Sequence, residues 1–138
     1  MKDYARFLPF VGRVLIGGVF LLSGLGKLGT YGATVAMISA AGLPLAPLGW
    51  VIAVIVEAGG GLLLLIGFRV RVPALVLAGF AVATAVFFHG NMADQNQLIH
   101  FLKNFMVAGG LLQIAYFGAG ALSLDASRDR RTVAPAGA

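Results

Sequence analysis

Six polar side chains stand inside or at the edges of stretches otherwise built from hydrocarbon: Arg13, Lys27, Glu57, His89, Lys103 and Asn104. Charges held in lipid seek partners or exchange protons, so each of these residue types in such a setting is a candidate for chemistry. Glu57 is flanked by Ala53 at i−4 and by Gly60 and Gly61 at i+3 and i+4, small residues that leave a notch for a neighbouring side chain. It lies about 16 Å along a helix from Phe68, whereas Arg13 lies about 8 Å from the same end and has a long reach. The two are therefore expected to meet. Two readings stay open: a structural ion pair between the first two long helices, or a titrating carboxyl whose proton affinity is set by desolvation and by the cation. Gln113 completes a polar seam of seven residues. His89 and His100 are accompanied by no cysteine and no third well-placed ligand, so no metal site is expected.

The elements that must position these groups follow from apolar run length. Four stretches are long enough to cross a hydrocarbon core of about 30 Å as helices: 8–28, 47–68, 72–89 and 101–122. On the first, Arg13, Gly17, Phe20, Gly24 and Lys27 share one face, small or basic rather than oily, with Ser23 beside it. That face must turn inward, because glycines admit a second helix closely and lipid penalises cations. On the third, Ala74, Ala78, Ala81 and Ala85 form a packing stripe leading to His89. On the fourth, Leu102, Met106, Gly109, Gln113, Tyr116 and Gly120 share a face, with Gln113 expected to bond a neighbouring helix. The segment 33–41, closed by Gly42-Leu43-Pro44, is too short to span and reads as an interfacial or re-entrant piece. The stretch Asp94–Gln97 reads as solvated loop.

Composition agrees. The chain has 138 residues, 59% of them hydrophobic and 11% charged, with a mean hydropathy of +0.94; an ordinary soluble domain carries about 25% charged residues. The expected fold is all-α, an integral membrane bundle of four transmembrane helices forming one domain over 1–122, with a disordered tail over 123–138. Lys2, Arg6, Arg69, Arg71, Arg128, Arg130 and Arg131 fall on one side of the spans, and Lys27 and Lys103 on the other. The positive-inside rule then places both termini in the cytoplasm. Lys27 occupies the place where a signal-peptide cleavage site would lie, so the first segment is read as a retained span. The net charge of +5 is scattered between apolar segments, which argues against nucleic acid. The absence of cysteine excludes disulfides, thiolate metal sites and a dithiol redox pair.

The sequence resembles the DoxX family of small four-helix membrane proteins. The resemblance rests on Arg13, Phe20-Leu-Leu-Ser-Gly-Leu-Gly-Lys27, Gly42-Leu-Pro44, Glu57-Ala-Gly-Gly-Gly-Leu-Leu-Leu-Leu-Ile-Gly67, His89, Phe101-Leu-Lys-Asn104 and Gly109-Gly-Leu111. It implies a bacterial-type cytoplasmic (inner) membrane protein and a site at Arg13, Lys27, Glu57, His89, Lys103 and Asn104. Some members are similar to the membrane subunit of thiosulfate:quinone oxidoreductases, others to membrane partners of enzymes that handle thiols or oxidative stress. The leading expectation is a quinone- or redox-linked component of an oxidoreductase system. Lys27, His89, Lys103 and Asn104 would bind the ligand, a quinone rather than a covalently held cofactor, while Glu57 and Arg13 handle protons. The alternatives are a non-catalytic anchor or assembly partner and, last, a small transporter or proton path. The expected partners are the lipid bilayer and a protein of a membrane oxidoreductase complex, with homo-oligomer formation left open.

Overall fold

Lipid offers backbone groups no hydrogen-bond partner, so a chain this apolar has to satisfy them within helices. A computed structural model describes residues 3–133 and shows helices without any strand among them. Lys2 from the charge count and residues 134–138 of the expected disordered tail lie outside the described residues. The helices are α1 (Tyr4–Leu28), α2 (Tyr31–Ala40), α3 (Ala46–Ile66), α4 (Arg71–Phe88), α5 (Gln95–Phe117) and α6 (Leu124–Val133). Of these, α1, α3, α4 and α5 are long and apolar enough to cross a membrane. The chain is a four-span membrane protein, and α2 is the short piece between the first two spans.

The bounds of two elements differ from those expected. The fourth span begins six residues earlier than the sequence reading placed it and ends at Phe117. Asp94 caps it, its carboxylate accepting the Gln97 amide at 3.0 Å, so Gln95–Gln97 form its first turn rather than a loop. The second concerns the tail, whose first ten residues from Leu124 are helical as α6. Asp125 anchors that helix. Its carboxylate accepts the Arg69 and Val70 amides at 2.8 and 3.3 Å, and its own N–H donates to the Gly67 carbonyl at 3.0 Å.

Small residues set the packing. The stripe Ala74, Ala78, Ala81 and Ala85 is buried, and its first three residues pack with Ala108 and Leu111 of α5 in the most extensive helix contact of the bundle. This contact turns the other face of α5 outward. Leu102, Met106, Gly109, Gln113 and Tyr116 are exposed, so Gln113 does not make the expected bond to a neighbouring helix among the described residues, and that face meets lipid. Between α1 and α3 the approach is closer still. A Cβ on Gly61 would lie 2.6 Å from the Leu21 amide nitrogen, and one on Gly24 would lie 2.8 Å from the Ala58 Cβ. A side chain at Gly24 must push the two helices apart, since the obstructing atoms are backbone and its first carbon. Gly24→Val is therefore expected to lower stability by about 3 kcal/mol, read as an earlier midpoint in denaturation from detergent micelles. A midpoint unchanged from wild type would show that the crossing is not tight.

Candidate functional site

Glu57 sits near mid-span, eleven residues into α3, in a single wide π-turn over Ile55–Gly59. Such turns insert one extra residue, re-aim side chains and recur at functional sites. Here the turn presents Glu57 to the end of α1. Its carboxylate Oε2 accepts Lys27 Nζ at 2.6 Å and Ser23 Oγ at 3.0 Å, and Lys27 Nζ also donates to Ser23 Oγ at 3.1 Å. The Glu57 side chain is 8% exposed and that of Lys27 24%. Trp50 Nε1 donates to the Lys27 carbonyl at 2.8 Å and Tyr31 packs edge-on against the Trp50 ring, fixing the end of α1 to α3.

Lys27, not Arg13, is thus the partner of Glu57. Arg13 is 1% exposed, and its guanidinium is spent on backbone carbonyls: Nε on Ala119, Nη1 on Leu64 and Leu65, and Nη2 on Leu122. Depth along each helix does not decide the pairing, because the crossing of α1 on α3 does. Arg13 reaches only the last turn of α3, where helix carbonyls are short of donors and compete for it.

One oxygen of the pair is uncommitted. Glu57 Oε1 makes no hydrogen bond among the described residues, yet it is not sealed away. Glu57 and Lys27 together line a cavity of about 610 Å³. The walls are mostly hydrocarbon and aromatic, with Met37, Ile38, Ile52, Phe80, Phe87 and Phe88 supplying most of them. The hydroxyls of Ser23, Thr30, Thr34 and Thr84, and the imidazole of His89, add a few polar points. This is the composition of a small-molecule site, apolar with a small number of placed polar groups.

Of the residues expected from sequence, the structure brings Lys27, Glu57 and His89 to one cavity and leaves the others out. Lys103 is exposed on α5, and Asn104 donates to the His100 carbonyl of its own helix at 3.1 Å. Arg13 serves the far end of the bundle. The sequence reading missed Thr30, Thr34 and Thr84. Thr30, at the N-cap of α2, and Thr34, one turn on, stand at i, i+4 with their hydroxyls 3.3 Å apart, a spacing that was legible. Thr84 carried no such signal; its hydroxyl donates to the Phe80 carbonyl one turn back.

At the cavity end that carries α2, His89 follows the last residue of α4 and stacks on His100, ring centroids 5.0 Å apart and planes inclined by 24°. Near-parallel rings at that separation cannot both point lone pairs at one ion. Among the described residues no group of three potential metal ligands occurs either. Burial first, and the neighbouring imidazole second, hold His89 below its ordinary value of 6.5. The neutral ring is favoured in the folded protein, so the unfolded chain takes up the proton first as pH falls. The stability that neutral His89 contributes is complete above pH 6.5 and is lost below it. An imidazole NMR titration is expected to give His89 a midpoint below 6.5 that rises in His100→Ala; a midpoint at or above 6.5 would remove this account.

All the residues that line the cavity lie between Ser23 and His89. The DoxX family model matches residues 8–90, the larger part of the chain. The chain belongs to the DoxX family. It is 41% identical over 127 residues to inner membrane protein YqjF of Escherichia coli (strain K12), covering 91% of this chain and 95% of that protein. It is 32% identical over 124 residues to inner membrane protein YphA of the same organism, covering 86% and 88%. No solved structure matches it. The DoxX match spans α1 to α4 and stops before Lys103 and Asn104, the two residues that the geometry also leaves outside the cavity.

Proposed function

We propose that this chain is a quinone-linked membrane component of an oxidoreductase system, with the cavity at Lys27 and Glu57 as its quinone site. The observation that carries the reading is the uncommitted Glu57 Oε1 beside a lysine ammonium in an otherwise apolar, aromatic-walled cavity. Lys27 spends two of its three N–H groups on Ser23 and Glu57, which leaves one donor for a ring oxygen. Glu57 Oε1 can accept a phenolic proton and hold it. The pair is neutral as a unit, which suits an uncharged head group better than an anion, and the volume of about 610 Å³ lies within the range of ligand pockets. A bound quinone supplies two-electron, two-proton carrier chemistry. With no cysteine in the chain, electron supply is assigned to a protein partner in the same membrane. We place the protein in the inner membrane, as the names of its relatives suggest, with the arginine-rich ends cytoplasmic.

The test uses the single tryptophan. Trp50 lies next to the site through its bond to the Lys27 carbonyl. A decyl-tailed ubiquinone added to the protein in nanodiscs is expected to quench Trp50 saturably, at least tenfold more weakly in Lys27→Met, and as in wild type in the lipid-facing control Tyr116→Leu. Quenching that rises linearly with quinone, without saturation, would count against the site. The outward stripe of α5 with Gly109 and Gln113 favours a second reading, an anchor that recruits another membrane protein. Stoichiometric co-purification of a partner lost in Gly109→Leu would support it.

A further inference from the structure

We infer that the cavity is filled sideways from the bilayer, through a gap between α2 and α4, and that its ligand is a long-tailed lipophile whose chain stays in the lipid. The inference rests on the ligand-site reading above and adds the route and the tail. Among the described residues the backbone of α4 packs extensively on α3 and α5 but makes no comparable approach to α1 or α2, and the cavity lies in the space this leaves. It runs along α4 from Phe80, in the middle of that helix, to His89 at its end, a length of about 13 Å. A pocket that opened only at the membrane surface would not need to be unwalled at mid-span.

The rim has the chemistry of a lipid face. Met37 of α2, Ile52 of α3 and Phe87 of α4 line the cavity and are 57%, 48% and 52% exposed. The charged pair Lys27 and Glu57, with the Ser23 hydroxyl, sits at its inner wall, less exposed than the rim. A molecule that places a polar head at Lys27 therefore leaves through an apolar mouth, and only a hydrocarbon tail can occupy that mouth without loss. The yielding wall is α2. It is ten residues long, mostly apolar, and packs chiefly on α3 with a smaller contact on α1, through contacts such as Ile38 on Gly49. Moving it exposes no buried charge.

The cysteine-free chain suits site-directed labelling. A nitroxide on Ala83→Cys, at the cavity wall, is expected in proteoliposomes to be several-fold more accessible to oxygen, which concentrates in lipid, than to a water-soluble nickel chelate. Greater access to the chelate would overturn the inference, because the cavity would then fill from water. In Met37→Cys/Phe87→Cys, a bifunctional thiol reagent that ties α2 to α4 is expected to slow the onset of Trp50 quenching by the decyl-tailed ubiquinone at least tenfold relative to the same variant left untied. An unchanged rate would overturn the gap as the route. Lipid-type accessibility at residue 83 with no saturable quinone quenching would uphold the sideways opening and remove the quinone.

Discussion

Arg13→Ala is expected to cost about 4 kcal/mol of stability, the largest effect of any single side chain in the protein. The guanidinium binds four carbonyls from two parts of the chain: Leu64 and Leu65 in the last turn of α3, and Ala119 and Leu122 in the turn between α5 and α6. Leu64 O keeps the Gly67 amide at 3.2 Å, but the Leu65, Ala119 and Leu122 oxygens have no other donor among the described residues, and each unpaired buried acceptor costs roughly 1–3 kcal/mol before relaxation. The loss should be local in its first stage. Hydrogen exchange over residues 118–126 should rise well before exchange in α4, because Arg13 and the Asp125 carboxylate are what tie α6 to the bundle. Arg13→Lys restores the charge but not the planar fork of donors, so it should recover less than half of the loss. A lysine variant as stable as wild type would show that charge alone, not the carbonyl cage, is what this position requires.

The contrast between Arg13 and Lys27 shows how far the sequence could be read. Run lengths and charge placement identified four spans, and the spacing of Ala74, Ala78, Ala81 and Ala85 identified the buried stripe of α4. Both are properties of one helix at a time. Which cation meets Glu57 is a property of two helices crossing, and it turns on the closeness that Gly24 and Gly61 permit. Depth along ideal helices says nothing about that. The start of α5 was legible and passed over: Asp94 followed at the third position by Gln97 is a capping signature, masked by the polarity of the surrounding stretch. The outward turn of Gln113, by contrast, had no signal, since glycines flank both faces of α5 and only the fit of α4 decides which one is buried.

Removing one member of the Lys27–Glu57 pair is expected to cost more than removing both. Lys27→Met strands a carboxylate that is 8% exposed, and about 3 kcal/mol of stability should go with it. Glu57→Gln should cost less, because the Lys27 side chain is 24% exposed and its ammonium can turn to the cavity. In Lys27→Met/Glu57→Leu neither charge remains to be desolvated, so the double variant should regain most of the stability that Lys27→Met loses. Binding should follow a different order. Each of the three variants should lose at least tenfold in affinity for the tailed quinone, the double variant included, although it is the best folded of them. That separation is the test of why two charges, Glu57 at mid-span and Lys27 in the last turn of α1, sit inside the bundle, where lipid would penalise both. A pair kept for packing would be replaceable by hydrocarbon without loss of binding; a pair kept for a ligand would not. Tight binding in the stable double variant would therefore withdraw the site from Lys27 and Glu57. Loss of binding with stability intact would mean that their cost is retained for the ligand.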